Sequence, residues 1–309
     1  MFPIAPGISY VDLNFRNKPG VIATGVLMDP AGVAIVDPGP TSCLETLTRA
    51  LAAEGVRIAD VRVVLLTHIH LDHAGMTGTL IQQNPDIEVY VHARGAPHLI
   101  DPSKLLESAG RLYGLKMGEL WGAVLPVPAE RVRVLSGGER LTIGSRGFDV
   151  EYTPGHASHH VSYFDRVAGL AWVGDTAGVR LGPSQSVMPP TPPPDIDLEL
   201  WDESLRRIQA WQPRQLFLTH FGLFDRVDAH LDELAIAIRE VAEMVRRSLE
   251  VSGGEDEQFA AFRQEIGRYI RRRMSEHEAI AYETAAPLRF NWQGLARYWK
   301  KRAKLKTEN

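Results

Sequence analysis

A chain of 309 residues, with 44 % hydrophobic and 23 % charged side chains, is long enough to bury a core that needs neither disulfides nor a structural metal. Its net charge of −4 argues against a general nucleic-acid binder, and no run of about 18 apolar residues offers a bilayer span. The single cysteine, Cys43, excludes an intramolecular disulfide, and the opening MFPIAPGISYVDLNF lacks the basic start and apolar core of a secretion signal, so a cytoplasmic protein is expected.

In chain order, ISYVDLNF, GVIATGVLMDP and AGVAIVDPGP alternate apolar and polar positions between glycine breaks, which predicts short antiparallel strands at a sheet edge. Residues 41–54 read as a helix with Thr41 or Ser42 at its N-cap and Cys43 filling space near its start. VRVVLL at 61–66 reads as a fully buried central strand, so THIHLDH occupies the loop that leaves it. A helix over roughly 74–84, a strand IEVYVH at 87–92 and a partly helical connection over 95–122 come next. RVRVL, RLTIG, GFDVEYT, HVSYFD and GLAWVG then follow at the spacing of a meandering sheet, and a helix at about 197–211 precedes one more buried strand, RQLFLTH. This order predicts two sheet-containing halves with helices outside.

MPPTPPP at 188–194 has too few N–H donors for a strand or helix interior and predicts a stiff loop. Beyond residue 226, Leu231, Leu234, Ile238, Val241, Val245 and Leu249 keep helical spacing, and Phe259, Phe262, Ile266, Tyr269 and Ile270 do so again after SGGED. The expected division is a catalytic domain over 1–226 and a helical C-terminal region over 227–309. The basic end, ARYWKKRAKLKTEN, is expected to pack its tryptophan and tyrosine beside a solvated tail.

Three histidines and an aspartate fall within Thr67–His73. Imidazole nitrogen and carboxylate oxygen together suit zinc, iron or manganese, and a loop at a sheet end can present alternate side chains toward one point. His68 and His70 can grip one ion, and Asp72 and His73 a second. Two ions need more ligands, and other apolar strands end in them: Thr153-Pro154-Gly155-His156 after GFDVEY, Gly174-Asp175 after GLAWV, and Thr219-His220 after RQLFL. Four strand-end loops with ligand residue types point to a common sheet edge.

THIHLDH, TPGHASHH, the Gly-Asp of VGDT and the final THFG resemble the metallo-β-lactamase superfamily, over about residues 8–225. The resemblance implies an α+β fold, a four-layer αββα sandwich with a dinuclear centre at one edge of its two sheets. It implies that His68, His70 and His156 hold the first metal, that Asp72, His73 and His220 hold the second, and that Asp175 bridges both. Two divalent ions are implied, zinc foremost, with iron or manganese as alternatives. Superfamily members that act as mononuclear iron dioxygenases lack part of the second set, so the complete set implies a hydrolase in which a metal-bridging hydroxide attacks a carbonyl. Asp72 is expected to serve in proton transfer as well as ligation. Asp37, in AIVDPGP, matches the superfamily's early aspartate and, with Thr67 and Thr219, is expected to brace the ligand loops by hydrogen bonds; its alternative is an Asx turn before Pro-Gly.

His160 matches a histidine of the TPGHTxGH-like segment of glyoxalase II and is expected among the catalytic residues. His159 stands where that segment has glycine and is expected to face the pocket, whereas His92, His98, His230 and His277 are expected to be structural or exposed. Glyoxalase II-like thioester hydrolases and acyl-lactone hydrolases share THxHxDHAG, here continued by Met76 in place of a second glycine, so a small-molecule acyl substrate with a thioester, ester or lactone bond is expected. In TAGVRLGPSQSVMPPTPPPD, a pocket wall is expected, with Arg180 holding a carboxylate or phosphate and Met188 lining an apolar side. The alternatives are a phosphodiesterase or ribonuclease, for which no large inserted domain fits between Asp175 and His220, and a non-hydrolytic metal or redox scaffold. Neither a membrane nor a nucleic acid is expected as a partner; a homodimer is left open.

Overall fold

The computed structural model describes residues 1–182 and 186–307. Strands β1 (Phe2–Ala5), β2 (Ile8–Asp12), β3 (Ala23–Asp29) and β4 (Gly32–Val36) run as an antiparallel meander. Helix α1 (Leu44–Ala53) then carries the chain back so that β5 (Val61–Leu65) lies parallel to β4, since a parallel pair needs a crossover. Helices α2 (Leu71–Ala74) and α3 (Thr77–Gln83) do the same for β6 (Glu88–His92). After α4 (Ala96–Ile100), α5 (Ser103–Tyr113) and α6 (Met117–Trp121), strand β7 (Val132–Leu135) joins parallel to β6 and completes a seven-stranded sheet in sequence order.

The second sheet begins as another meander, β8 (Arg140–Ile143), β9 (Arg146–Tyr152), β10 (Val161–Asp165) and β11 (Leu170–Trp172). A short hairpin, β12 (Val179–Arg180) with β13 (Val187–Met188), and helix α7 (Leu198–Ala210) intervene before β14 (Gln215–Leu218) pairs parallel to β11 and β15 (Gly222–Phe224) forms the edge. Helices α8 (Val227–Ser248), α9 (Glu255–Arg271), α10 (Glu276–Ala285) and α11 (Leu288–Thr307) follow.

Side chains alternate across each strand, and this sorts the apolar residues into three cores. Ala34, Val36 and Leu65 of the first sheet meet Phe148, Tyr163, Trp172 and Phe217 of the second. On the outer face of the first sheet, Val33, Ile35 and Val64 pack on Leu47 and Leu51 of α1 and Leu80 of α3. On the outer face of the second, Ala171, Leu216 and Leu218 pack on Trp201 of α7 and Leu231 and Leu234 of α8. The result is the α+β, four-layer αββα sandwich. Gly25 lets the sheets close, because a Cβ there would stand 2.3 Å from the Trp172 ring.

Phe262 and Ile266 of α9 and Trp292 and Leu295 of α11 lie in the same outer core as Trp201, so the C-terminal helices share a core with the second sheet. The aromatics of the basic end are tied down as well: Trp299 donates to the Ala242 carbonyl at 2.8 Å and the Tyr298 hydroxyl to Glu199 at 2.8 Å. Among the described residues, no helix is long and apolar enough to cross a membrane.

Local expectations differ from the structure at several places, among them the unexpected hairpin β12–β13, the edge strand β15 and the helical turn Leu71–Ala74 within THIHLDH. The strand Phe2–Ala5 went unread because four residues with a proline give too little alternation. The Thr41 and Ser42 hydroxyls do not cap α1 but donate to the carbonyls of Ala123 and Leu120, both at 2.6 Å, fastening α6 to the start of that helix. The single helix expected over 74–84 is broken between Ala74 and Thr77, where the Met76 N–H turns to the Gly39 carbonyl at 2.8 Å and its side chain fills the core. Finally, β5 is not buried throughout, because Arg62 near its start reaches solvent.

Candidate metal centre

Each expected ligand leaves the end of a strand at one edge of the two sheets. Asp37 follows β4, Thr67–His73 follow β5 and open α2, Thr153–His160 join β9 to β10, Asp175 follows β11, and Thr219–His220 follow β14. Gly174, at φ 45°, makes one of these approaches possible: a Cβ there would lie 2.4 Å from Thr67 Oγ1 and 2.7 Å from His160 Nε2.

The side chains gather in two groups. His68 Nε2 and His156 Nε2 stand 2.9 and 3.0 Å from His70 Nδ1. His220 Nε2 lies 3.2 Å and His73 Nε2 4.0 Å from Asp72 Oδ2. Asp175 stands between them, with Oδ2 3.4 Å from His156 Nε2 and Oδ1 3.3 Å from His73 Nε2 and 3.6 Å from His220 Nε2. One carboxylate therefore turns an oxygen to each group.

The hydrogen bonds behind the rings select the atoms that face inward. The Nδ1 atoms of His68, His73, His156 and His220 are engaged by Thr67 Oγ1 at 3.1 Å, Asp37 Oδ2 at 2.9 Å, the Pro190 carbonyl at 2.9 Å and the Val21 carbonyl at 2.6 Å. Each such bond holds a proton on Nδ1 and turns Nε2 into the centre. His73 Nε2, His220 Nε2 and Asp175 Oδ1 are buried without a hydrogen-bond partner among the described residues. Such atoms cost on the order of 1–3 kcal/mol each, a cost that a cation in each group removes. Within each group the candidate ligand atoms lie within 4.8 Å of one another, and their nitrogen and carboxylate chemistry fits two divalent ions.

The electrostatics agree with this reading. Burial, followed by the neighbouring His73 and His70, holds His68 well below the ordinary imidazole range; burial and His156 do the same to His70, so both rings are neutral. Against the penalty of burial, Asp175, Asp72 and Asp37 raise His73 well above that range, and Asp175 and Asp72 raise His220. The carboxylates respond in kind: despite burial, His73 and His220 keep Asp72 down at about 2 and Asp175 well below the usual range. Both carboxylates are ionised before any cation arrives.

Behind the ligands, Asp37 Oδ1 accepts from the Thr67 N–H at 2.8 Å, while Oδ2 accepts from the Thr67 hydroxyl at 2.7 Å, the Thr219 hydroxyl at 2.9 Å and His73 Nδ1 at 2.9 Å. The Asp37 carboxylate reaches across the fold to the ligand loops instead of closing a local turn. Thr67 gives its proton to Asp37 and so accepts from His68, which relays the brace to the first group.

A cavity of ≈ 250 Å³ opens over His70, Asp72 and Asp175. Its walls are Leu105, Ala109 and Leu112 of α5, the loop Pro192–Pro194, and the junction of α10 and α11 around Ala286 and Phe290. The loop is itself clamped by the C-terminal helices: Asn291 Oδ1 accepts from the Thr191 N–H at 2.8 Å, and Tyr282 donates to the Pro189 carbonyl at 3.1 Å. His159 lines this cavity, with Nδ1 lacking a partner among the described residues.

Four residues stand elsewhere than expected. His160 does not line the cavity; it is fully buried, bonded to Thr153 Oγ1 at 3.0 Å and stacked 5.0 Å behind His68, because the start of β10 draws it between the sheets. It is corrected from a catalytic group to a support for a ligand. Arg180 is likewise not a substrate residue, since its guanidinium donates to His230 Nδ1 at 2.9 Å and Glu233 at 2.7 Å and lies over the Phe224 ring. Met188 is buried in the outer core, its strand paired with Val179. The hairpin β12–β13 turns this part of the segment away, and only its proline end returns to the pocket; Pro183, Ser184 and Gln185 lie outside the described residues. Conversely, His98, expected to be structural or exposed, lines the cavity beside Lys104. His92 stacks on Tyr152, His230 is buried against Arg180, and His277 is exposed.

The wall residues were missed because no motif marks them. Leu105, Ala109 and Leu112 lie in the connection over 95–122, expected only to be partly helical, and no local pattern there says which surface a helix face would cover.

Residues 18–220 match the family model described as the metallo-beta-lactamase superfamily. A metallo-beta-lactamase fold-containing protein of Sulfurisphaera tokodaii is 31 % identical over 176 residues, 55 % of this chain and 65 % of that relative. A hydroxyacylglutathione hydrolase of Thermosynechococcus vestitus is 29 % identical over 153 residues, 49 % of this chain and 47 % of its own length. Both matches thus span less than two thirds of the relative. The solved structure of a metallo-beta-lactamase family protein from Thermus thermophilus shares the fold, with a TM-score of 0.67 at 21 % identity over 97 % of this chain and 95 % of that one. The family match covers well over half of the chain and includes every strand-end loop that carries a ligand candidate, so the chain belongs to the metallo-beta-lactamase superfamily.

Proposed function

We propose that this protein is a dinuclear metal-dependent hydrolase acting on a thioester, ester or lactone carbonyl. The observation that carries the reading is the pair of buried ligand groups sharing Asp175, one oxygen to each. His68, His70, His156 and Asp175 would hold one ion, and Asp72, His73, His220 and Asp175 the other, with zinc the first candidate. Two bound divalent ions supply Lewis acidity and a hydroxide at neutral pH.

The chain's own residues supply position and proton handling. Asp72 is ionised and lines the cavity, with Oδ2 facing His220, so its carboxylate can accept a hydrogen bond from a water or substrate hydroxyl over the centre and orient it. His159 lines the wall near His70, where it can hold the substrate against the centre. Apolar walls around a polar floor exclude water and favour a small acyl compound over a nucleic-acid strand. The hydroxyacylglutathione hydrolase relative, by its name a hydrolase of an acyl compound, supports the same bond class.

The test is a panel of acyl thioesters, lactones, aryl esters and bis-aryl phosphodiesters, run with metal-reconstituted wild type and Asp175→Ala. Turnover of carbonyl substrates that disappears in the variant supports the proposal. Full activity of Asp175→Ala would refute the centre, and a preference for phosphodiesters would refute the bond class.

A further inference from the structure

The cavity over the centre has a composition that narrows the substrate further. Leu105, Ala109 and Leu112 form one stripe of α5, and they face Pro192, Pro193 and Phe290 across the opening. Both walls are stiff: the prolines fix their own backbone, and the loop is pinned through Thr191 to Asn291, with Gly294 so close that a Cβ would stand 2.0 Å from the Thr191 carbonyl. Apart from Asp72 and Asp175 at the floor, two charged residues line the cavity. The cationic Lys104 and the acidic Asp195 sit among the lining residues, Lys104 exposed at the start of α5 and Asp195 engaged by the Ser158 hydroxyl at 2.5 Å.

From this we infer that the protein takes substrates with a compact, uncharged, apolar acyl group, held between α5 and the proline loop with the carbonyl at the floor; the inference rests on the hydrolase reading above. A charge on the acyl group would lose its hydration between leucine and proline while the Lys104 cation stays in solvent, which disfavours it strongly. The volume caps the length: ≈ 250 Å³, at about 30 Å³ per water-sized group, accommodates an acyl group of at most about eight carbons, the carbonyl carbon at the floor included. The C-terminal helices are then part of the specificity device, since Phe290 and the clamp on the loop both come from them.

The experiment uses the metal-loaded full chain and two readouts. In the first, kcat/KM is measured on aryl esters and thioesters with one leaving group and acyl chains from two to fourteen carbons, together with a carboxylated acyl chain and an acetyl series varied only in the alcohol. The expected result is a rise of about fourfold per methylene up to about eight carbons, a fall beyond, and at least hundredfold discrimination against the charged acyl group. Leu112→Phe should move the optimum to shorter chains and Leu112→Ala to longer ones.

In the second readout, binding of straight-chain carboxylates of the same lengths is followed by calorimetry. Affinity that climbs with chain length to the same optimum supports the pocket even if no ester is turned over, and in that case it is the hydrolase reading that falls. Turnover with a flat acyl-length profile, or one that responds only to the alcohol, overturns the acyl pocket and leaves the hydrolase standing.

Discussion

Asp37 Oδ2 lies 2.9 Å from His73 Nδ1, and the same oxygen accepts the hydroxyls of Thr67 and Thr219. Two segments carrying metal-ligand candidates, Thr67–His73 and Thr219–His220, are thereby referred to one buried atom. Asp37→Asn leaves the shape but can place an amide where donors converge, and loss of such a brace typically costs 10–100-fold in metal affinity. Chelator competition at fixed pH measures this, and an affinity unchanged from wild type contradicts the role.

Asn291 gives a separate test of the clamp that reaches the first group. Its side chain receives the Thr191 N–H, and the neighbouring Pro190 carbonyl holds His156 Nδ1. Asn291→Ala leaves the buried Thr191 N–H unpaired and should cost on the order of 1–3 kcal/mol in denaturant melts. Asn291→Asp keeps an acceptor for that N–H and should recover part of the stability. Metal titration should show the Ala variant weakening one site more than the other.

His160 stacks behind His68 rather than facing the cavity. His160→Gln should therefore lower Tm while reducing kcat/KM less than about tenfold, the low end of what general acid–base groups contribute being about a hundredfold. Asp72→Ala in parallel should lose activity and a metal equivalent together. A His160 variant with normal Tm and metal content but activity as low as Asp72→Ala would return His160 to the reacting groups.

His230 predicts a pH dependence of stability away from the metal centre. Burial, then Arg180, lowers its pKa from the ordinary 6.5 to about 4, while Nε2 donates to the Ala177 carbonyl at 2.7 Å. The folded value lies below the unfolded one, so the unfolded chain takes the proton first. Stability is thus undiminished above pH 6.5 and falls as pH drops toward 4, by about 3 kcal/mol from this residue. Urea melts of wild type and His230→Gln between pH 7 and 4 check the slope; parallel curves would assign the loss to other groups.

The sequence by itself determined the elements that need only local information. Alternation and short apolar runs placed the strands of both sheets except Phe2–Ala5 and Gly222–Phe224, and the ligand residue types stood visibly at strand ends in THIHLDH, TPGH, GD and TH. These features are legible because a strand's period and a metal's preference for imidazole and carboxylate are written in neighbouring residues.

Tertiary structure decided which chemical neighbours those residues have. His156 and His160 are four residues apart in one motif, yet one reaches the centre and the other stacks behind it, because His160 directly precedes β10 while His156 stands in the loop before it. Arg180 and Met188 looked available for a substrate and were taken up by a hairpin and an outer core, while His98, Leu112 and Phe290 came to the cavity from segments without a motif. Burial and contact at such positions depend on partners up to a hundred or more residues distant, as Thr191 and Asn291 show, and no local pattern records that pairing.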